Sequence, residues 1–130
     1  MKVTILEPFG YCSGVELAIK LALKTKQENP DKNVVVLGML VHNEDTLIAL
    51  EKHEISTIYE KNSSLEELIE KIDRPSIVIL TAHGHSKKVE DKLILNGHTI
   101  VDATCPFVKK IHNIVAKESS NGSQVVVIGS

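Results

Sequence analysis

The run Val34-Val35-Val36-Leu37-Gly38-Met39-Leu40 constrains the fold more than any other stretch, because it offers no polar face. A strand with one wet side alternates apolar and polar residues, whereas a run apolar throughout is buried on both sides, as in the interior of a parallel sheet. Ser76 to Leu80 repeats the pattern. Between and around these runs the period changes to that of helices. Val15, Ala18, Ile19, Ala22 and Leu23 form one stripe behind Ser13-Gly14-Val15-Glu16, which has the spacing of a capping box, and Asn29 to Asn33 stops that helix. Leu47, Ile48 and Leu50 suggest a short helix capped near Asn43, and Ser64-Leu65-Glu66-Glu67 opens another that runs to about Ile72. A helix after Thr81-Ala82-His83-Gly84-His85 is ended by Asn96-Gly97. Shorter strands are expected over Val3 to Pro8, Ile55 to Tyr59, His98 to Ala103 and Gln124 to Ile128. This alternation predicts an α/β fold, a mostly parallel sheet with helices on both faces.

Asp102-Ala103-Thr104-Cys105-Pro106 joins a strand to a helix and puts a cysteine on the joint. Pro106 suits a first helical turn, where its missing N–H has no partner to lose, so Cys105 falls at the N-cap. A helix N-terminus carries roughly half a positive charge, which favours a thiolate. The helix beyond carries Phe107, Val108, Ile111, Ile114 and Val115 on one face and ends near Ser119 to Gly122.

In a parallel sheet every strand ends at the same edge, and ligands bind in the crevice outside those ends. Cys12, His42, His83 and Cys105 each follow an expected strand directly, so the fold would gather them. The histidines at 53, 85, 98 and 112 lack that placement and read as surface residues, with His85 close enough to His83 to line the same crevice. Lys87, Lys88, Lys109 and Lys110 read as solvated helix faces, and Tyr11 and Phe107 as packing beside the cysteines. Ser13, Thr81 and Thr104 offer hydroxyls near helix starts, a placement that capping explains equally well.

Thiolates suit iron–sulfur chemistry or zinc, and imidazoles suit a metal or an anion, which helix N-termini also bind. Residue chemistry alone therefore leaves open a redox enzyme with a metal cluster and an anionic substrate, and a non-catalytic zinc module using Cys12, His42, His83 and Cys105. A dithiol redox protein is disfavoured by the separation of Cys12 from Cys105 and the lack of a Cys-x-x-Cys motif. Composition removes other classes. Fifteen basic against seventeen acidic residues give a net charge of -2, with Arg74 the sole arginine, which argues against a nucleic-acid groove. No apolar run approaches the ~20 residues of a membrane helix, and Met1 to Leu6 is too short an apolar segment for a signal peptide. A cytoplasmic protein is expected, in which two cysteines point to metal or catalysis rather than a disulfide.

Gly10-Tyr11-Cys12-Ser13-Gly14-Val15, Val41-His42-Asn43, Thr81-Ala82-His83-Gly84 and Asp102-Ala103-Thr104-Cys105-Pro106 together resemble, in order and spacing, the N-terminal part of the 4-hydroxy-3-methylbut-2-enyl diphosphate reductase family. The resemblance implies a 4Fe-4S cluster held by three cysteines, two of which map onto Cys12 and Cys105. It assigns the substrate's diphosphate to His42 and His83. The implied reaction is a reductive dehydroxylation to isopentenyl and dimethylallyl diphosphate, with electrons from a ferredoxin or flavodoxin-like partner. Family members are longer and built of three α/β modules. On that pattern residues 1–100 are a first module, with the strand over 3–8 open to assignment to the cluster-binding core, and residues 101–130 begin a second. The third cysteine, a further His motif, the proton-relay glutamate and the serine and asparagine groups of the diphosphate site would lie beyond this sequence. A fragment of that kind is expected to be inactive alone and to self-associate through exposed apolar surface.

Overall fold

Every residue of Val34–Leu37 and of Ile77–Leu80 is buried, and the two segments lie side by side as parallel strands, Val34 opposite Ile77 and Leu37 opposite Leu80. They are the centre of a four-stranded sheet in a computed structural model that describes residues 3–4 and 10–128. In chain order the elements are α1 (Ser13–Glu28), β1 (Val34–Leu37), α2 (Glu44–Lys52), β2 (Ile55–Ile58), α3 (Leu65–Ile69), β3 (Ile77–Leu80), α4 (Lys87–Leu95), β4 (Thr99–Asp102) and α5 (Pro106–Ser120). The sheet order is β2-β1-β3-β4 and all three pairings are parallel. The module boundary expected after residue 100 falls inside β4, which pairs with β3 along its whole length.

Successive strand residues face opposite ways, which divides the core in two. Val34, Val36, Ile77 and Ile79 pack with Ala18 and Ala22 of α1 and Leu50 of α2. Val35, Leu37, Val78 and Leu80 pack with Leu68 and Ile69 of α3 and Val89 and Leu93 of α4. Fully burying each of the valine, leucine and isoleucine side chains among these contributes about 1.5–3 kcal/mol. The edge strands β2 and β4, covered less, are only partly buried. β1 hands the chain through α2 outward to β2, α3 returns it past β1 to β3, and α4 carries it on to β4. The connections leaving β1 and β3 therefore diverge, and a crevice opens between their carboxyl ends.

Several boundaries differ from the sequence expectation for identifiable reasons. β1 stops at Leu37 because Gly38 takes φ +86°, turning the chain out of the strand while its N–H still bonds the Ile58 carbonyl at 2.9 Å. The capping box at 64–67 forms, with the Ser64 N–H donating to Glu67 Oε2 at 2.8 Å. The one expected at 13–16 does not. Cys12 holds the extended N-cap conformation instead, so Ser13 is already helical. Gln124–Ile128 is not a strand: no described strand lies alongside to take its backbone hydrogen bonds, and Val126, Val127 and Ile128 are 68–93% exposed. The expected strand over Val3 to Pro8 lies largely outside the described residues; Val3 and Thr4 are in no regular element. α5 forms as expected, yet buries no residue, leaving Phe107, Ile111 and Ile114 exposed. No helix among the described residues is long and apolar enough to cross a membrane.

His98 is buried rather than superficial, because its Nδ1 accepts the Ser76 N–H at 3.2 Å where β3 begins. Burial lowers its pKa below the ordinary 6.5, so the unfolded chain takes up a proton first as the pH falls. The stability this linkage provides is complete above pH 6.5 and is lost as the pH falls through the lower folded value. The urea midpoint is accordingly expected to drop between pH 7.5 and 5.5. His98→Asn, which keeps an acceptor for Ser76 without titrating, is expected to flatten that drop.

Candidate active site

The two joints at the crevice are short, hydrogen-bonded turns. After β1, buried Leu40 anchors the chain, the Asn43 N–H bonds the Val41 carbonyl at 2.9 Å, and His42 is the central residue of the resulting three-residue turn. The Asn43 side chain then caps α2 by accepting the Thr46 N–H at 3.1 Å. After β3, the Gly84 N–H reaches the Thr81 carbonyl at 3.4 Å, with Ala82 and His83 between them and Gly84 at φ +86°. Both imidazoles are exposed, with ring centroids 6.3 Å apart and planes inclined by 37°. Two residues 41 positions apart thus form a pair at the point where the strand order reverses.

Cys12 and Cys105 are the N-caps of α1 and α5, and neither thiol makes a capping hydrogen bond. The Cys105 N–H bonds the Ala82 carbonyl at 3.0 Å, which ties its joint to the His83 turn. The Cys105 side chain rests on Gly14 in the first turn of α1: a Cβ built there would lie 2.6 Å from Cys105 Sγ. Cys105 therefore sits beside the helix that Cys12 caps. A second glycine contact seats α5, because a Cβ at Gly84 would lie 2.8 Å from His112 Cε1 and 3.2 Å from Val108 Cγ1. His112 is exposed, as expected of a surface residue, but one edge of its ring covers the His83 turn.

Beneath Cys105 lies a polar cluster. Burial acts to raise the Asp102 carboxyl, but hydrogen bonds from the Lys109 ammonium and from the Thr104 hydroxyl and N–H outweigh it and hold the pKa at about 2. Asp102 is thus a carboxylate, and Lys109, 2.6 Å from it, is a paired cation rather than a free one. Lys87 and Lys88 are exposed, as expected. Sequence reasoning missed the place of His85. Its ring is only 7% exposed, with Nε2 2.8 Å from Glu90 Oε1 and Nδ1 3.4 Å from Thr104 Oγ1. The spacing of Glu90, five residues on and one turn into a helix, was the available signal. His53 is the exposed C-cap of α2, as expected. Tyr11 does bond into the fold, to Thr46 Oγ1 at 2.6 Å, whereas Phe107 is 70% exposed and packs no edge.

His42, His83 and Cys105 follow the carboxyl ends of β1, β3 and β4 and Cys12 caps the helix that Cys105 rests on, but the four do not close into one tetrahedral site. Among the described residues no three of His, Cys, Asp and Glu lie close enough together to hold a metal ion. The histidines pair with each other, and the thiols gather at the two helix mouths. A cleft of about 420 Å³ lined by Asn33, Arg74, Ser76 and Thr99 lies at the opposite edge of the sheet, away from all four.

Residues 3–130 match the family described as LytB protein. The chain belongs to that family. It is 34% identical over 129 residues to the 4-hydroxy-3-methylbut-2-enyl diphosphate reductase of Thermoanaerobacter sp. (strain X514), covering 99% of this chain and 43% of the relative. It is 38% identical over 130 residues to the enzyme of that name from Brevibacillus brevis, covering 41% of it. A solved structure of (E)-4-hydroxy-3-methyl-but-2-enyl diphosphate reductase superimposes with a TM-score of 0.77 at 28% identity, over 98% of this chain and 42% of that one. A second, the E-1-hydroxy-2-methyl-but-2-enyl-4-diphosphate reductase from Plasmodium falciparum, gives 0.73 at 26% identity over 88% of this chain and 33% of that one. The chain spans about two fifths of the length of these curated relatives.

The Gly14 socket sets two effects against each other. Alanine is favoured over glycine inside a helix by about 1 kcal/mol, but a Cβ 2.6 Å from Cys105 Sγ overpacks the joint, at a typical cost of about 1–3 kcal/mol. Gly14→Ala is expected to lower the urea midpoint. A raised midpoint would show that Cys105 does not press on α1.

Proposed function

We propose that this LytB-family chain supplies the diphosphate-binding histidines and two of the cluster-binding thiolates of a reductase acting on 4-hydroxy-3-methylbut-2-enyl diphosphate. The observation that carries the reading is the His42–His83 pair, 6.3 Å between ring centroids, at the reversal point of a parallel sheet whose same edge carries Cys105. Imidazole N–H groups on two independent turns can each donate to a different oxygen of one diphosphate, contributing about 1.5–3 kcal/mol apiece where charge assists the bond. The N-terminus of α2, immediately after His42, adds partial positive charge on the same side.

The thiols fit an iron–sulfur group. Both cysteines are free, both face the positive end of a helix, and Gly14 leaves Cys105 the room its sulfur occupies. When bound, a 4Fe-4S cluster supplies the electrons. The net change takes up two electrons and two protons, breaks the allylic C–O bond, and releases water with isopentenyl or dimethylallyl diphosphate. In that change His42 and His83 hold the diphosphate end, which fixes the allylic end relative to Cys12 and Cys105. A third cysteine ligand is required from outside this sequence, so the chain by itself is expected to turn over little or no substrate. A ferredoxin or flavodoxin-like donor in the cytoplasm would deliver the electrons. The uncovered face of α5 gives the isolated chain an apolar surface through which to self-associate. The zinc reading loses ground because its four ligands do not converge.

Anaerobic reconstitution with iron and sulfide tests the assignment. Sulfide-bridged iron with visible absorption, its ligands shared between two self-associated chains, is expected, lost in Cys12→Ser and in Cys105→Ser but retained in His42→Ala. Zinc at one per chain without sulfide, lost equally in His42→Ala, would instead establish the binding module.

A further inference from the structure

His83 and Gly84 are bracketed by two attachments to the same neighbouring pair of residues. On one side the Ala82 carbonyl accepts the Cys105 N–H at 3.0 Å. On the other, His85 Nδ1 faces the Thr104 hydroxyl at 3.4 Å. The far side of the His85 ring is held by Glu90 in the first turn of α4, which accepts from Nε2 at 2.8 Å; a carboxylate only accepts, so Nε2 carries a proton. Thr104 is in turn fixed by its own N–H bond to Asp102 at 2.8 Å, and Asp102 by Lys109 of α5. The resulting chain of contacts runs from α4 through the His83 turn to the Cys105 joint and into α5. The side chains of His85, Glu90, Thr104, Asp102 and Lys109 lie outside the two apolar clusters that hold the sheet.

We propose that His85 is a positioning residue which, clasped between Glu90 and Thr104, holds the turn of the diphosphate-binding His83 in fixed register with Cys105. The inference rests on the reading of His83 as a diphosphate ligand and goes beyond it: a buried imidazole that touches neither diphosphate nor metal sets the separation between the two. Without the clasp the turn keeps its main-chain bond to Cys105 and the contacts of Val108 and His112 with Gly84, but no polar side-chain tie to the Cys105 joint. His83 is then held less tightly, weakening the diphosphate site and altering access to the Cys105 thiol together.

The test uses the 130-residue chain, with inorganic pyrophosphate as the probe and the alkylation rate at Cys105 followed by peptide mass spectrometry. His85→Phe keeps an aromatic ring and removes both polar contacts, whereas Thr104→Val removes the hydroxyl that faces His85 and Asp102 and Thr104→Ser restores it. In His85→Phe and Thr104→Val, pyrophosphate Kd is expected to rise roughly five- to tenfold and the alkylation rate to change by a similar factor. Thr104→Ser is expected to recover both, with thermal midpoints close to that of the parent chain. Should His85→Phe fail to fold, the Thr104 pair decides. Unchanged Kd and alkylation rate in the folded variants would overturn the clasp while leaving the diphosphate site intact. Pyrophosphate binding by the parent chain that persists undiminished in His42→Ala and in His83→Ala would overturn the diphosphate reading, and the clasp with it.

Discussion

The parallel ladder between β1 and β3 is the constraint on which the rest of the molecule depends. A strand buried on both faces has no water to satisfy its backbone, so Val34–Leu37 must find neighbours on both edges, and it finds β2 and β3. Parallel pairing needs a crossover between each pair of strands, and those crossovers are the helices that cover the two faces. Because the chain steps outward from β1 and then returns past it, the exits of β1 and β3 diverge. The crevice that results is a consequence of strand order.

What stands at that crevice depends on contacts of a different kind. α5 buries no residue of its own, yet its N-terminus is located by Cys105 against Gly14, by Val108 and His112 against Gly84, and by Lys109 on Asp102. Both glycines are places where another side chain occupies the volume a Cβ would take. Gly84 also needs its positive φ to complete the turn that presents His83. The buried ring of His85 adds a polar tie at the same spot, where a missing partner would leave Thr104 or Glu90 short of a hydrogen bond. Apolar packing secures the sheet, and a few close contacts secure the site.

Much of this was legible in the residues. The apolar runs at 34–40 and 76–80, the capping boxes and the Asn and Gly stops announce strands and helices in an order that admits few topologies. Placing His42, His83 and Cys105 directly after strands matches the joints that follow β1, β3 and β4, while the strand expected before Cys12 lies outside the described residues. The errors share a cause. Ser13 has the sequence of a cap but the position of a first helical residue, and Gln124–Ile128 has the composition of a strand but no described neighbour. His98 and His85 look superficial because their partners, Ser76 and Thr104, are 22 and 19 residues away. Local pattern reports what a segment prefers, and these outcomes were set by what lay beside it.

Periodicity and strand–helix order, acting within a few residues of each position, were enough for the fold class, the direction of the sheet and the cysteines at the starts of helices. Contacts between distant elements were needed to pair the two histidines with each other, to set Cys105 against the helix that Cys12 caps, and to make sockets of Gly14 and Gly84. Those relations depend on distances between elements far apart in the chain, fixed by which strand pairs with which and by how closely two backbones approach.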